Sequence, residues 1–203
     1  MIDQLRPAIV LSVLMTVLLG LCYPLALTGL AQTLFPAEAA GSLIERNGQV
    51  VGSRLVAQTF SAPGYFHPRP SAGDVDAGAS GGSNLGPTSA ALLKRVSSEA
   101  ERLSREAGGA RVPVDLVTTS GSGLDPHISP EAAFFQAPRV AKARDLPLQQ
   151  MRDLVARHIE GRSLGLFGEA RVNVLALNLA LDELRPAGNN GVPVAEGAIS
   201  RAQ

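Results

Sequence analysis

The chain has 203 residues, and its 18 basic and 18 acidic side chains give a formal net charge of zero. Basic runs are absent and only 4% of the residues are aromatic, so the composition argues against a nucleic-acid-binding protein. Cys22 is the single cysteine, which excludes an intramolecular disulfide and a zinc site made of thiolates.

The first predicted element is an apolar helix near the amino terminus. Residues 7–37 contain no Asp, Glu, Lys, Arg or His, and about 20 apolar residues are enough to cross a bilayer as a helix. Pro24 lies within this segment and is expected to kink it. A cleaved signal peptide is the alternative, but its apolar region is usually only about 7–15 residues long. We therefore predict a retained transmembrane anchor over residues 1–37. Its orientation stays open, because the positive charges on its two sides are too similar for the positive-inside rule to discriminate.

Residues 38–185 are predicted to form one soluble domain of α+β (mixed α/β) class, because their number suits a single domain. A hairpin is expected first, with strands at residues 42–46 and 50–60 around a turn at Asn47-Gly48. Residues 61–87 contain glycine or proline every few positions and predict a long ordered loop in which Tyr65, Phe66 and Leu85 are buried. Residues 186–203 lack periodicity and predict a flexible tail.

The next predicted elements are a helix and a strand. From Thr88, apolar residues recur at spacings of three and four and predict an amphipathic helix that stops at Gly108-Gly109: Leu93, Val96, Ala100, Leu103 and Ala107. Residues 112–118 alternate between apolar and polar side chains and are predicted to form a strand.

Three helices complete the prediction. The first has Ser129 as its N-cap and Pro130 at its first position, with Pro138 limiting or kinking it. Another is indicated by helical spacing of Leu148, Met151, Val155 and His158. The last is capped by Asn173 and is indicated by Val174, Leu177, Leu181 and Leu184.

The first of two small-residue loops, residues 80–88, has the glycine spacing of a phosphate-binding loop. Pro87 occupies the position of the lysine that would reach the phosphates, and proline also lacks a backbone N–H. We therefore reject a Walker A site. Two interpretations remain, a weaker anion site assisted by Ser80, Ser83 and Asn84, and a glycine loop that packs closely and caps the following helix.

The second loop, residues 120–130, contains Ser122, Asp125 and His127, the residue types of a hydrolase triad. Triad members usually meet in space rather than in sequence, and the G-x-S-x-G nucleophile elbow is absent. We expect these side chains to bond to their own backbone instead, with a turn at Asp125-Pro126. A membrane-anchored extracytoplasmic hydrolase using Ser122 and His127 is the alternative function.

No metal site and no catalytic residue are predicted. The histidines are His67, His127 and His158, and their spacing from each other and from Asp74 and Asp76 matches no metal motif. The sequence also lacks a Walker pair and an aspartyl-phosphorylation motif, and it contains one candidate span. The chain alone is therefore expected neither to hydrolyse ATP nor to form a pore.

Several motifs follow the single amino-terminal span in a recognisable order. They are GYF at residues 64–66, RPSA at 69–72, SGGSNLGPT at 80–88, SGSGLDPHISP at 120–130, RVA at 139–141 and RVNVLALNLALD at 171–182. Together they closely resemble the KdpC family, the C subunits of bacterial Kdp potassium-transporting ATPases. The resemblance covers essentially the whole chain to about Leu184.

The resemblance implies a non-catalytic accessory subunit, needed for assembly and activity of high-affinity, ATP-driven potassium uptake in the cell inner membrane. Its implied partners are a potassium-channel-like subunit and a P-type ATPase subunit. The family has been described as a catalytic chaperone that raises the ATP affinity of the ATPase subunit. In that description nucleotide contacts the loop Ser80, Gly81, Gly82 and Ser83, and no cofactor is bound tightly.

The resemblance also implies that the soluble domain lies on the outer face of the membrane, beside the potassium entrance. ATP is cytoplasmic, and a single span keeps a domain on one side, so this topology favours docking over nucleotide binding. We therefore predict Asn84, Asp125 and His127 as docking residues against the potassium-channel-like subunit. Small residues of the anchor, such as Gly20 and Gly29, are predicted to contact the transporter.

Overall fold

The structure, a computed structural model, describes residues 4–184. It divides into two compact units at Leu43 and Ile44. The predicted tail over residues 186–203 lies outside the described residues, as does Arg185, the last residue of the predicted domain.

The amino-terminal unit is a helix that runs without interruption over Leu5–Leu34. It consists of α1 (Leu5–Val17), a π-turn (Leu18–Cys22) and α2 (Tyr23–Leu34), and a short helix α3 (Pro36–Ala39) follows. At about 1.5 Å per residue its 30 residues exceed the ~30 Å hydrocarbon core. By length and composition the helix can therefore cross a membrane.

Pro24 is expected to kink the helix, and the π-turn lies just before it. Pro24 has no N–H, and its ring crowds the carbonyl four residues earlier in a regular α-helix. Immediately before it, the Tyr23 N–H donates to the Leu18 carbonyl, five residues back, which is the π-helical pattern. The helix thus accommodates the proline through the π-turn.

The predicted hairpin follows, formed by β1 (Leu43–Arg46) and β2 (Gln49–Ser53), and the second unit begins within its first strand at Ile44. Asn47 and Gly48 have φ angles of 54° and 75°, the left-handed pair that a tight hairpin turn requires. β2 ends at Ser53 instead of residue 60, because the Ser53 hydroxyl accepts a hydrogen bond from the Leu55 N–H at 3.1 Å and starts a turn.

The remaining elements surround one core. They are α4 (Ala90–Glu106), a 3-10 turn (Val114–Leu116), β3 (His127–Ile128), α5 (Pro130–Arg144), α6 (Leu148–Arg157), β4 (Ile159–Glu160), β5 (Arg171–Asn173) and α7 (Val174–Leu184). The three short strands form an antiparallel sheet in the order β3-β5-β4, in which Val172 faces Ile128 on one side and Ile159 on the other. The class is mixed helix and sheet, as predicted.

Both predicted helix caps of this core are confirmed. The Ser129 hydroxyl accepts from the Ala132 N–H at 3.0 Å at the start of α5, and the Asn173 side chain accepts from the Ala176 N–H at 3.0 Å at the start of α7. α5 continues through Pro138 to Arg144, so the proline does not limit the helix.

Two expectations for the middle of the chain are corrected. Residues 112–118 form no strand, because Pro113 supplies no N–H for a ladder and the N–H groups of Leu116 and Val117 close local turns onto Pro113 and Val114. Leu85, expected to be buried, is 39% exposed. The predicted helix is confirmed as α4, which ends before Gly108-Gly109 and contacts the core through Leu103, although Leu93 is 62% exposed.

The loop segment 64–67 is held in the core by side chains of α5 and α7. Phe66 is fully buried, and Asn178 binds both its N–H and its carbonyl at 2.9 Å. Gln136 likewise accepts from the His67 N–H at 2.8 Å and donates to the His67 carbonyl at 3.1 Å. These bonds satisfy the backbone of a segment that has no regular secondary structure.

A buried ion pair completes this attachment. Arg144 donates to Asp182 at 2.7 Å and to the Gly64 carbonyl at 2.8 Å, and its guanidinium lies 4.5 Å from the centre of the Tyr65 ring. The Tyr65 hydroxyl donates to the other Asp182 oxygen at 3.1 Å. The segment thereby fixes the start of the chain that leads to Arg69 and the small-residue loops.

Candidate functional site

The two small-residue loops lie against each other. The Gly81 N–H donates to the Ser122 carbonyl at 2.9 Å, and the Ser80 hydroxyl donates to the same oxygen at 3.1 Å. A further contact of 3.4 Å joins the Thr119 and Ser83 hydroxyls. We call residues 80–84 together with residues 119–127 the loop pair.

Glycine is required where the two backbones approach. A Cβ atom on Gly82 would lie 2.9 Å from the Gly121 carbonyl oxygen. A Cβ on Gly123, whose φ is 71°, would lie 2.9 Å from the Gly81 carbonyl oxygen and 2.9 Å from the Ser71 hydroxyl. The small residues of the loop pair therefore serve its internal packing.

The predicted nucleotide loop, residues 80–83, is separate from the first turn of the following helix. α4 begins at Ala90, and its N-cap Ser89 accepts from the Leu92 N–H at 3.4 Å. The Gly81 N–H, which a phosphate cradle would use, is engaged with Ser122. Nucleotide contact at this loop stays a prediction.

Arg69 attaches the second loop to the segment that precedes the first. Its guanidinium lies 3.2 Å from Asp125 and also donates to the Thr118 hydroxyl at 3.5 Å and the Thr119 carbonyl at 3.4 Å. Arg69 was not among the residues predicted for the site. Its position in the RPSA motif was the available signal, but the motif does not reveal which carboxylate it meets.

Asp125 is the electrostatic centre of the second loop. Its other oxygen accepts from the His127 N–H at 3.0 Å and lies 3.6 Å from His127 Nδ1. Burial alone would raise the pKa of Asp125, but the hydrogen bonds from His127 and the Arg69 guanidinium outweigh burial and hold this pKa below its usual value. Asp125 is therefore a structural anion that orders the loop.

The geometry of Ser122, Asp125 and His127 is that of local turns. The Ser122 hydroxyl accepts from the Leu124 N–H at 3.1 Å, and the Asp125 side chain accepts from the N–H two residues on, as expected for a turn at Asp125-Pro126. Within residues 4–184 no hydrogen bond joins Ser122 to His127, and no group of three or more His, Cys, Asp or Glu residues could hold a metal ion.

The remaining predicted docking residues are accessible. Asn84 is exposed and has a φ of 52°, so the chain displays it at a sharp bend. A Cβ atom on Gly20 or on Gly29 would have no neighbour within 4 Å. The two glycines are nine residues apart, and each residue of a regular α-helix turns the chain by roughly 100° about the helix axis. In a regular α-helix they would therefore lie on opposite faces. The π-turn, in which Gly20 lies, alters this angle because each of its turns takes up more residues.

A cleft of about 1000 Å³ lies beside Arg69, between residues 59–75, α4 and α5. Its wall includes Phe60, Leu103 and Phe135 together with His67 and Arg139. Burial lowers the pKa of both His67 and Arg139, and the proximity of Arg139 lowers that of His67 further.

Arg139 is fixed in this cleft by neutral acceptors. It donates to the Pro63 carbonyl at 2.7 Å, the Tyr65 carbonyl at 3.1 Å and the Gln136 side chain at 2.8 Å. Within the described part of the chain it has no carboxylate partner within 4.0 Å. Arg139 is therefore held in the cleft wall by hydrogen bonds, while Glu106 of the same wall favours its charged form electrostatically.

Known proteins match this chain over nearly its whole length. The KdpC family model, described as "K+-transporting ATPase, c chain", matches residues 5–183. A potassium-transporting ATPase KdpC subunit of Methylobacterium nodulans is 63% identical over 198 residues, which cover 91% of this chain and 98% of the relative. Proteins of the same name from Methylorubrum extorquens and Acidobacterium capsulatum are 58% and 56% identical, with 91% and 90% of this chain and 98% and 99% of the relatives covered. These matches give the alternative hydrolase function no support.

Proposed function

This chain belongs to the KdpC family and is a subunit of a K+-transporting ATPase complex, and we propose that it acts there as a non-catalytic accessory subunit that docks through its loop pair. The observation that carries the proposal is the packing of residues 80–83 against residues 120–123. It engages the Gly81 N–H internally and leaves a small-residue polar surface outside.

The proposed chemistry of the loop pair is recognition by hydrogen bonds. Arg69 and the Asp125 turn order the second loop, while Asn84 is presented at an exposed bend of the first. A surface that is already ordered loses little conformational entropy on binding. Asn84, Asp125 and His127 would form the contact with the potassium-channel-like subunit, and the P-type ATPase subunit would hydrolyse ATP.

The proposed location is the cell inner membrane, with residues 1–37 as a single-pass anchor and residues 38–185 as an extracytoplasmic domain. The length and apolar composition of Leu5–Leu34 support the anchor. Gly20 and Gly29 would each let the anchor approach a helix of the transporter closely on the face that the glycine occupies. On this topology cytoplasmic ATP cannot reach the loop pair.

Co-purification tests the docking role. In the complex extracted in detergent, Asn84→Ala and Asp125→Asn should each reduce the amount of the other Kdp subunits recovered with this chain. Ser97→Ala is the matched control, because Ser97 is exposed on α4 and its hydroxyl only bonds within its own helix. Normal recovery of both variants with a weakened ATP affinity of the complex would overturn docking in favour of nucleotide contact.

A fusion reporter tests the topology. Alkaline phosphatase fused after Arg185 should be active in cells, whereas a fluorescent protein that folds only in the cytoplasm should stay dark at the same position. The reverse pattern would place the domain in the cytoplasm and remove the topological argument against ATP.

A further inference from the structure

Between β4 and β5 the chain forms a tight turn whose tip is apolar. Ser163 and Phe167 exchange two backbone hydrogen bonds of 2.9 and 3.0 Å, and the Leu166 N–H closes the turn onto the Ser163 carbonyl at 3.1 Å. An ion pair of 2.9 Å between Arg162 and Glu169 lies at its base. We call residues 163–168 the apolar tip.

The tip exposes three large apolar side chains in four consecutive positions. Leu164 is 89% exposed, Leu166 76% and Phe167 67%. None of the three belongs to the core or packs against it. Scattered exposed apolar residues are ordinary, but a contiguous group in a hydrogen-bonded turn indicates a surface that is covered in the functional state.

The backbone at Leu164 strengthens this point. Its φ is 54°, and the next residue, Gly165, has a φ of 73°. Glycine or asparagine suits such a left-handed position, whereas leucine is disfavoured there because of its Cβ. The fold of the turn therefore does not account for a leucine at its most exposed position.

We propose that the apolar tip inserts into the interface of the lipid bilayer to which this chain is anchored. The tip is convex and uncharged, so it needs no matching recess, and a fluid bilayer accepts such a shape. The candidate span ends at Leu34 and the second unit begins at Ile44, a distance of at most about 35 Å even when fully extended. The second unit is therefore tethered to the bilayer and meets it at high effective concentration.

The charges around the tip define the kind of membrane contact. Arg162 pairs with Glu169, and Arg171 pairs with Glu160 at 3.1 Å. Each of these four charges next to the apolar tip is therefore neutralised by an ion pair. Insertion should therefore depend on apolar contact rather than on anionic headgroups. Vesicles of phosphatidylcholine alone should suffice.

Fluorescence quenching tests the proposal, which rests on the proposed anchor. The full chain carrying Cys22→Ser and Leu164→Cys is labelled with an environment-sensitive fluorophore and reconstituted into phosphatidylcholine vesicles. We expect blue-shifted emission, quenching by lipids that carry a nitroxide on the acyl chain, and loss of quenching by aqueous iodide. A label at Leu93→Cys, on exposed α4, is the control and should respond to iodide alone.

A second variant separates insertion from misfolding. With the label at Leu166→Cys, the substitution Leu164→Asn suits the left-handed backbone and should preserve the fold while reducing quenching by the nitroxide lipids. Iodide quenching at Leu164→Cys equal to that at Leu93→Cys would overturn the proposal. Protection from iodide only in the whole complex, without lipid quenching, would also overturn it and identify a protein as the occupant.

Carbonate extraction of the same vesicles distinguishes a failure of tip insertion from a failure of the membrane anchor. A chain that remains membrane-integrated while its tip is exposed to water refutes tip insertion alone. A chain that carbonate releases refutes the anchor and tip insertion with it.

Discussion

Apart from His127, which begins β3, segment 64–67 and the loop pair lack regular secondary structure, yet they are held in different ways. The segment is bound from outside, by buried side chains of α5 and α7 that satisfy its backbone. The loop pair is held by backbone contacts between its own small residues and by the ion pair between Arg69 and Asp125. The difference indicates that the segment contributes to the free energy of unfolding. The loop pair contributes less to that stability, and its surface shape is what docking requires.

If this contrast is correct, the largest loss of stability should come from the ion pair behind the segment. Arg144→Met removes the closest cation from the buried Asp182, which keeps the Tyr65 hydroxyl at 3.1 Å and Arg46 at 4.0 Å. The Arg144 and Asp182 side chains are only 4% and 6% exposed. Breaking such a pair by removing one side costs about 3–5 kcal/mol. Denaturant unfolding of the full chain in detergent, followed by circular dichroism, measures the loss.

The double variant Arg144→Met with Asp182→Leu is the control. It removes both charges and should recover part of the lost stability. A loss well under about 1 kcal/mol in Arg144→Met would show that the pair does not hold the segment.

The next loss is expected from Asn178→Leu, which keeps the volume but leaves the N–H and carbonyl of Phe66 without their side-chain partner. Each buried unsatisfied group costs about 1–3 kcal/mol. Burial of the apolar leucine offsets part of this cost. The same unfolding assay applies, with Gln149→Ala on the exposed surface of α6 as the control. Equal stability of the two variants would contradict the role assigned to Asn178.

Within the loop pair, Gly82→Ala should cost only about 1 kcal/mol, because the loops are exposed and can move apart. Its Cβ would lie 2.9 Å from the Gly121 carbonyl oxygen. Gly121→Ala is the matched control, since a Cβ there meets nothing within 4 Å. A destabilisation by Gly82→Ala as large as that of Arg144→Met would erase the contrast between the two regions.

The smallest expected effect is a pH dependence from His67, at the end of the segment. Burial first and the nearby Arg139 next lower the pKa of His67 below its usual value of 6.5. The folded state therefore favours neutral His67, and this contribution is complete above the unfolded pKa and is lost as pH falls through the folded pKa. The unfolding midpoint of the native chain should fall as the pH drops below 6.5.

His67→Gln should flatten that acid-side decline, because it removes the titrating group. Parallel pH profiles of the native chain and the variant would show that His67 is not the group responsible.

The parts of the fold that were predictable depend on local chemistry. Ser129 before Pro130 and Asn173 before an apolar run indicated helix starts correctly, because caps act within three residues. Residues 112–118 had strand-like alternation, but Pro113 and the absence of a pairing strand decided otherwise. β4 and β5 are too short to show a period.

The sequence indicates which loops form the candidate site, but it does not indicate which of their residues contact each other. The turn at Asp125-Pro126 follows from sequence, because the Asp125 side chain reaches only two residues on. The Arg69–Asp125 pair joins residues 56 positions apart, and no local signal encodes such a distance. The packing of Gly82 on Gly121 is long-range in the same way.

The most direct test of the docking surface is recovery of the Kdp complex with Gly82→Ala in place of the native residue. We expect the variant chain to remain folded and in the membrane but to lose most of the other Kdp subunits on purification, while Ser97→Ala retains them. Full recovery of the complex with Gly82→Ala, together with a weakened ATP affinity, would contradict the account.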